Sequence, residues 1–165
     1  MANKDSRLGL VKLTLLSGLL VGTLDMTAAC INAYLSFGLN PTRVFKYIAA
    51  GVLGKSAFAG GALVDVLGVL LHYFIACSWT AFFFFIYPRT NLVNQNKYIT
   101  GTFYGVLIWM VMNLVVVPLT NVPKPKNGFN VTQAYINAGI LIAVIGIPLS
   151  LIAYRYFRKL RGAKR

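Results

Sequence analysis

Glutamate is absent from this sequence, and acids of any kind are scarce. Asp5, Asp25 and Asp65 stand against sixteen Lys and Arg, for a net charge of +13. Without Glu there is no HExxH metalloprotease motif, and neither a nucleophile elbow nor a phosphate-binding glycine loop is present. Histidine occurs once, as His72, so one subunit cannot supply two axial haem ligands. Asp25, Asp65 and His72 could make a three-ligand metal site by type, but no spacing motif supports one. Two cysteines, Cys30 and Cys77, are too few for a disulfide framework, and both sit in apolar segments as small hydrophobes. The reading is therefore a non-enzyme, with no catalytic residue, cofactor or metal expected.

What is abundant is apolar surface. Of the 165 residues, 58% are hydrophobic, too many for an aqueous domain of this length. They fall into four runs, at about 8–37, 60–87, 98–119 and 133–154, each long enough for the roughly 20 residues that cross a bilayer. Lipid offers the backbone no hydrogen bonds, so the runs must be helices. The fold class expected is all-α: one transmembrane domain, residues 1–165, forming an integral membrane four-helix bundle. The positive charge would suit nucleic acid, yet the cations lie at the ends of the runs and form no recognition module, so the bilayer is the expected partner. Thr27-Ala28-Ala29-Cys30 resembles a lipoprotein cleavage box, but Asp25 interrupts the approach and the helical pattern continues, so the first run is read as an uncleaved span.

Orientation follows from the cations. Lys4, Arg7 and Lys12, then Arg89 and Lys97, then Arg155, Arg158, Lys159, Arg161, Lys164 and Arg165 lie on one side. Arg43, Lys46, Lys55, Lys124 and Lys126 lie on the other. The richer side should be cytoplasmic, which puts both termini there. Phe82 to Phe85, Tyr87, Tyr98, Tyr154 and Tyr156 gather at the same ends, as an interfacial belt would. Arg155, Arg158, Lys159 and Arg161, in the basic tail 155–165, are expected to meet anionic lipid head groups, though topology anchoring alone would explain them. In the first outer loop, Asn40 and Pro41 open a short amphipathic helix over about 41–56. Val44, Phe45, Ile48, Ala49 and Val52 share one face of it. It is either interfacial, or re-entrant and packed as a cap. Asn121 to Asn130 reads as a turn-rich loop, and Pro148 should kink the fourth span. Asn130-Val131-Thr132 is a formal glycosylation sequon without meaning in a bacterium.

Small residues recur at helical spacing: Gly18 and Gly22 on the first span, Gly61 and Gly68 on the second, Gly101 and Gly105 on the third, Gly139 and Gly146 on the fourth. Such stripes let helices approach closely in lipid. Polar residues follow them. At about 1.5 Å per residue, Asp25 and His72 fall at one depth, about 3 Å outside the middle, which predicts a contact between them. Asp65 and Asn32 share a level nearer the outer face, with Asn113 and Asn137 also in the outer half. An ionisable group at such depth costs on the order of 3 kcal/mol unless it is buried with a partner. The six residues are therefore expected to form one polar cluster open to the outside.

Several strings carry a resemblance. Gly22-Thr-Leu-Asp25, Gly38-Leu-Asn-Pro41, Ile48-Ala-Ala-Gly51-Val-Leu-Gly54, Phe58-Ala-Gly60-Gly61 and Leu67-Gly68-Val-Leu-Leu71-His72 are among them, with Tyr104-Gly105, Met112-Asn113 and Pro118-Leu119. Over about residues 17–119 the chain resembles a family of small four-span bacterial inner-membrane proteins, similar in plan to the YagU-like group. The resemblance implies a bacterial inner membrane and a link to acid or envelope stress; it implies no catalytic residues. Two functions are compatible with the whole. One is a small proton-linked transporter or channel-like protein working through Asp25 and His72, as a homo-oligomer because four helices leave little room for a solute path. The other is a membrane partner or stability factor whose polar cluster only packs helices.

Overall fold

A computed structural model describes residues 4–123 and 130–162, with side chains from residue 8 onward. Five helices account for almost all of it: α1 Lys4–Phe37, α2 Pro41–Leu53, α3 Ala62–Ile86, α4 Lys97–Leu119 and α5 Val131–Gly162. No strand occurs among the described residues. α1, α3, α4 and α5 are long and apolar enough to cross a membrane. The basic tail is thus a helical extension of α5 as far as Gly162. The turn-rich loop, with Lys124 and Lys126, lies largely outside the described residues.

Asparagine starts two of the long helices. The Asn96 side chain accepts from Tyr98 N at 2.9 Å, and Asn130 from Gln133 N at 3.1 Å. Each satisfies a first-turn amide that would otherwise be left open. The formal sequon at Asn130 is therefore a helix cap. Asn40 occupies the corresponding place before Pro41, but its side chain makes no capping bond. Inside the helices, Thr14, Thr23, Thr27, Ser78 and Thr80 donate to the carbonyl four residues back, at 2.7–2.8 Å. That local bond lets a hydroxyl sit in an apolar span without a partner helix.

The bundle consists of two tight helix pairs, α1 with α3 and α4 with α5. Glycine sets both. On α1, a Cβ at Gly18 would lie 2.9 Å from Cys77 Sγ, and one at Gly22 would lie 3.1 Å from the Ala76 methyl and the Tyr73 ring. On α4, a Cβ at Gly101 would lie 2.8 Å from the Gly146 carbonyl oxygen, and one at Gly105 would lie 2.6 Å from Ile142 Cα. A Cβ at Gly146 would collide with the Gly101 carbonyl. α2 packs on α3 in the same manner, with the Phe45 carbonyl over Gly68. Ala49 and Ala50 are fully buried there. Gly61 and Gly139, expected on the packing stripes, have no neighbour within 4 Å. Cys30 and Cys77 are both free thiols.

α4 and α5 each contain one wide π turn, Met112–Val116 and Ile142–Gly146. Each stands just before a proline, Pro118 and Pro148. Proline lacks the N–H that would bond the carbonyl four residues back, and its ring pushes against that carbonyl. Those carbonyls belong to Leu114 and Val144, the middle residues of the two π turns, so widening the helix there relieves both problems. The strain expected at Pro148 thus coincides with a π turn in α5.

Phe83, Phe84, Tyr87, Tyr104, Leu149 and Phe157 form the centre of the core toward one end. Tyr87 stacks on Phe157 with ring centroids 5.6 Å apart, and Tyr104 packs on Phe83 at 4.4 Å. Phe83, Phe84 and Tyr87 are thus core residues and not the interfacial belt expected of them. Phe82, Phe85 and Tyr98 remain exposed.

A methyl placed at Gly146 must separate α4 from α5, whereas one at Gly139 meets open space. Gly146→Ala should therefore destabilise the detergent-solubilised protein by about 1–3 kcal/mol. Gly139→Ala should be neutral or stabilising by up to about 1 kcal/mol, through helix propensity. Paired thermal unfolding curves check both signs.

Candidate functional site

The close approach at Gly22 has a chemical consequence. It brings α3 near enough that His72 Nε2 lies 2.8 Å from the Gly22 carbonyl oxygen. A helical carbonyl keeps a second lone pair for such a bond. Because a carbonyl can only accept, Nε2 carries the proton, and in the neutral ring Nδ1 is left as an acceptor. Asp25 is one turn further along α1 and close enough for its charge to act on the imidazole. The contact expected from depth alone is thus indirect. The ring is fixed by the backbone beside Asp25, and among the described residues no direct bond joins the two side chains.

Asp25 and His72 open into one cavity of about 320 Å³ at the centre of the bundle. All four long helices contribute to its wall, and Tyr47, Ile48, Gly51 and Val52 of α2 cover it. Most of the lining is apolar: Leu71, Ile75, Ile108, Met112, Val116 and Ile145 are typical. Tyr47 brings a hydroxyl, and burial pushes its phenol up from the ordinary tyrosine range, so it stays a neutral donor. The cavity exists because α3 and α4 are held apart by side chains. The Tyr104 hydroxyl donates to the Trp79 carbonyl at 2.5 Å, with the ring filling the space between the two backbones.

The other expected site residues are elsewhere. Asn32 Nδ2 donates to Gln133 Oε1 at 3.2 Å and to Asn137 Oδ1 at 3.1 Å, and Ser36 donates to Asn32 Oδ1 at 3.0 Å. This is a separate junction between α1 and α5. Asn113 is exposed and donates to the Trp109 carbonyl of its own helix at 2.9 Å. Asp65 is in the first turn of α3 with Oδ1 buried and unpartnered, away from the cavity wall. The six residues therefore form no single cluster. Among the described residues no three His, Cys, Asp or Glu side chains converge, so Asp25, Asp65 and His72 do not make a metal site. Sequence reasoning missed Tyr47, Trp79 and Thr120 in the wall, and Gln133 as the second partner of Asn32. Gln133 carried a signal: it is one turn before Asn137 on the same face of α5.

A second concavity, about 450 Å³, lies at the end of the bundle where α1 begins and α5 finishes, an end where a Cβ at Gly9 would lie 4.0 Å from the Tyr156 hydroxyl. Lys97, Arg155, Arg158 and Lys159 surround it, with Leu151 and Tyr154. Arg158 donates to the Tyr154 hydroxyl at 2.8 Å, and Lys97 Nζ is 5.2 Å from the centre of the Tyr154 ring. Arg161 instead donates to Asn94 Oδ1 at 2.9 Å and does not line this concavity. Beside this end, burial pushes the Tyr87 phenol up, Tyr154 adds to the shift, and Arg161 opposes it.

No protein-family model, curated protein or solved structure matches this chain. Nothing among known proteins therefore bears on the resemblance to the YagU-like group, and function has to be read from geometry.

The α1–α5 junction gives its own prediction. Asn32→Leu and Asn137→Leu should each lower stability by about 1 kcal/mol, and a double-mutant cycle should return a coupling near ~0.6 kcal/mol. Chemical or thermal unfolding of the four proteins measures it.

Proposed function

We propose that this is a small multi-pass protein of the bacterial inner membrane, both termini cytoplasmic, that moves or gates protons through Asp25 and His72. One observation carries the reading: the chain's single histidine and one of its three acids face the same cavity, to whose wall all four membrane-length helices contribute. The histidine is held by its Nε2–H on Gly22, which leaves Nδ1 to take and release a proton beside a carboxylate. The surrounding wall is apolar, so a proton crossing that level has these two groups to use and little else. With so narrow a bundle, transport of anything larger calls for a homo-oligomer. At the basic end, Lys97, Arg155, Arg158 and Lys159 would hold anionic lipid head groups, each charge contributing about 1 kcal/mol.

A second reading, a membrane partner or envelope-stress stability factor with structural polar groups only, draws on the Asn32 junction, where the amide nitrogen bonds across to Gln133 and Asn137 and the amide oxygen is met within α1 by Ser36. Proton flux in liposomes separates the two. His72→Gln can keep the bond to Gly22 while removing the titrating ring, and Asp25→Asn keeps the shape of the carboxylate. Both should lower flux at least about tenfold with little loss of stability if the cavity conducts protons. Unchanged flux with both variants leaves the structural reading.

A further inference from the structure

We infer that the Asp25 cavity takes a membrane-partitioned organic cation, admitted sideways from the lipid between α3 and α4. The inference rests on the proton reading for the chemistry of Asp25 and adds what the cavity binds and by which route.

The route follows from a third concavity. A groove of about 480 Å³ runs along the outside of α3 and α4, lined by Phe74, Ser78, Phe82 and Leu107 among others. Its floor is formed by Ile75, Trp79, Met112 and Val116, and the same four side chains line the central cavity. One layer of side chains therefore separates the lipid-facing groove from the cavity that holds Asp25. Nothing in that layer is charged, and Met112 is unbranched and adaptable. Met112 and Val116 belong to the π turn before Pro118, a place where a helix is already widened.

The choice of a cation follows from the lining. Asp25 is the cavity's one acid. The titratable groups facing it are His72 from α3 and Tyr47 from α2; α4 and α5 contribute none. His72 has one nitrogen committed to Gly22, and Asp25 takes no direct hydrogen bond among the described residues, so its carboxyl group is free to give up its proton against a ligand's charge. A neutral polar solute would lose its hydration against these walls, and an anion would face the carboxylate. An apolar cation keeps its body against the aliphatic wall and sets its charge by Asp25. Trp79 and Tyr47 add aromatic surface that suits a cation. The volume is in the range of small-molecule sites. In proton terms the exchange balances: the O–H bond of protonated Asp25 breaks, one proton leaves to water, and the ligand's fixed charge neutralises the carboxylate.

The test uses the full chain in lipid nanodiscs with two probes of one shape. Benzyltrimethylammonium carries the charge; neopentylbenzene has carbon in place of the nitrogen. The ammonium should bind at least about tenfold more tightly than the hydrocarbon and release one proton per site. Asp25→Asn should abolish both the preference and the release, while Asp25→Glu should retain them. Val116→Trp, which fills the wall shared by groove and cavity, should reduce binding of both probes without altering the unfolding temperature. Equal binding of the two probes, or full ammonium binding by a folded Asp25→Asn protein, overturns the inference. If Asp25-dependent proton flux persists alongside equal probe binding, the ligand class fails and the proton reading stands. Ammonium preference that depends on Asp25, without proton release or flux, supports the ligand class and removes the proton reading.

Discussion

The contact between the Gly101 and Gly146 backbones governs the rest of this bundle. A membrane protein cannot rely on the hydrophobic effect to join its helices, because lipid tails are as apolar as leucine, so close packing must hold them together. Between the membrane-length helices the closest packing is backbone on backbone, where α4 passes the π turn of α5. With α4 fixed against α5, and α1 fixed against α3 at Gly18 and Gly22, the two pairs meet through side chains. Trp79, Phe83 and Tyr104 are long enough to bridge the pairs at one end, but toward α2 the bridging side chains are smaller and a cavity remains.

Proline decides where that cavity can form. Pro118 and Pro148 stand at the same distance after their π turns, two residues beyond Val116 and Gly146. One π turn supplies Met112 and Val116 to the cavity wall, and the other supplies Ile145. The widened backbone that accommodates the missing N–H thus also shapes the space around Asp25 and His72. A packing device and a candidate site share the same residues, which is common where π turns occur.

Much of this is legible in the sequence because membranes impose few solutions. The four apolar runs, their approximate ends and a short non-spanning helix beginning at Pro41 follow from length, periodicity and the Asn40-Pro41 pair; that helix ends at Leu53. Placing Asp25 and His72 at one depth is a matter of counting rise per residue. Depth cannot show how they meet, because that depends on rotation about each helix axis, and Gly22 exposes a carbonyl to the imidazole. Asn113 and Asp65 depart from the expected cluster for the same reason: right height, wrong azimuth. The aromatic run at 82–85 has the composition of a belt, but different faces of α3 divide it, with Phe83 and Phe84 inward and Phe82 and Phe85 outward. The π turns are hidden because a proline signals strain without saying whether a helix kinks or widens.

Because His72 is the chain's single histidine, one isotope label reports on the site without ambiguity. Nitrogen-15 NMR of histidine-labelled protein in bilayers at neutral pH is the most direct measurement. The expected spectrum has a proton on Nε2, a bare Nδ1, and an Nδ1 resonance that moves in Asp25→Asn while Nε2 stays bonded to Gly22. A proton on Nδ1 with bare Nε2, or a ring indifferent to Asp25, would contradict the proposed site.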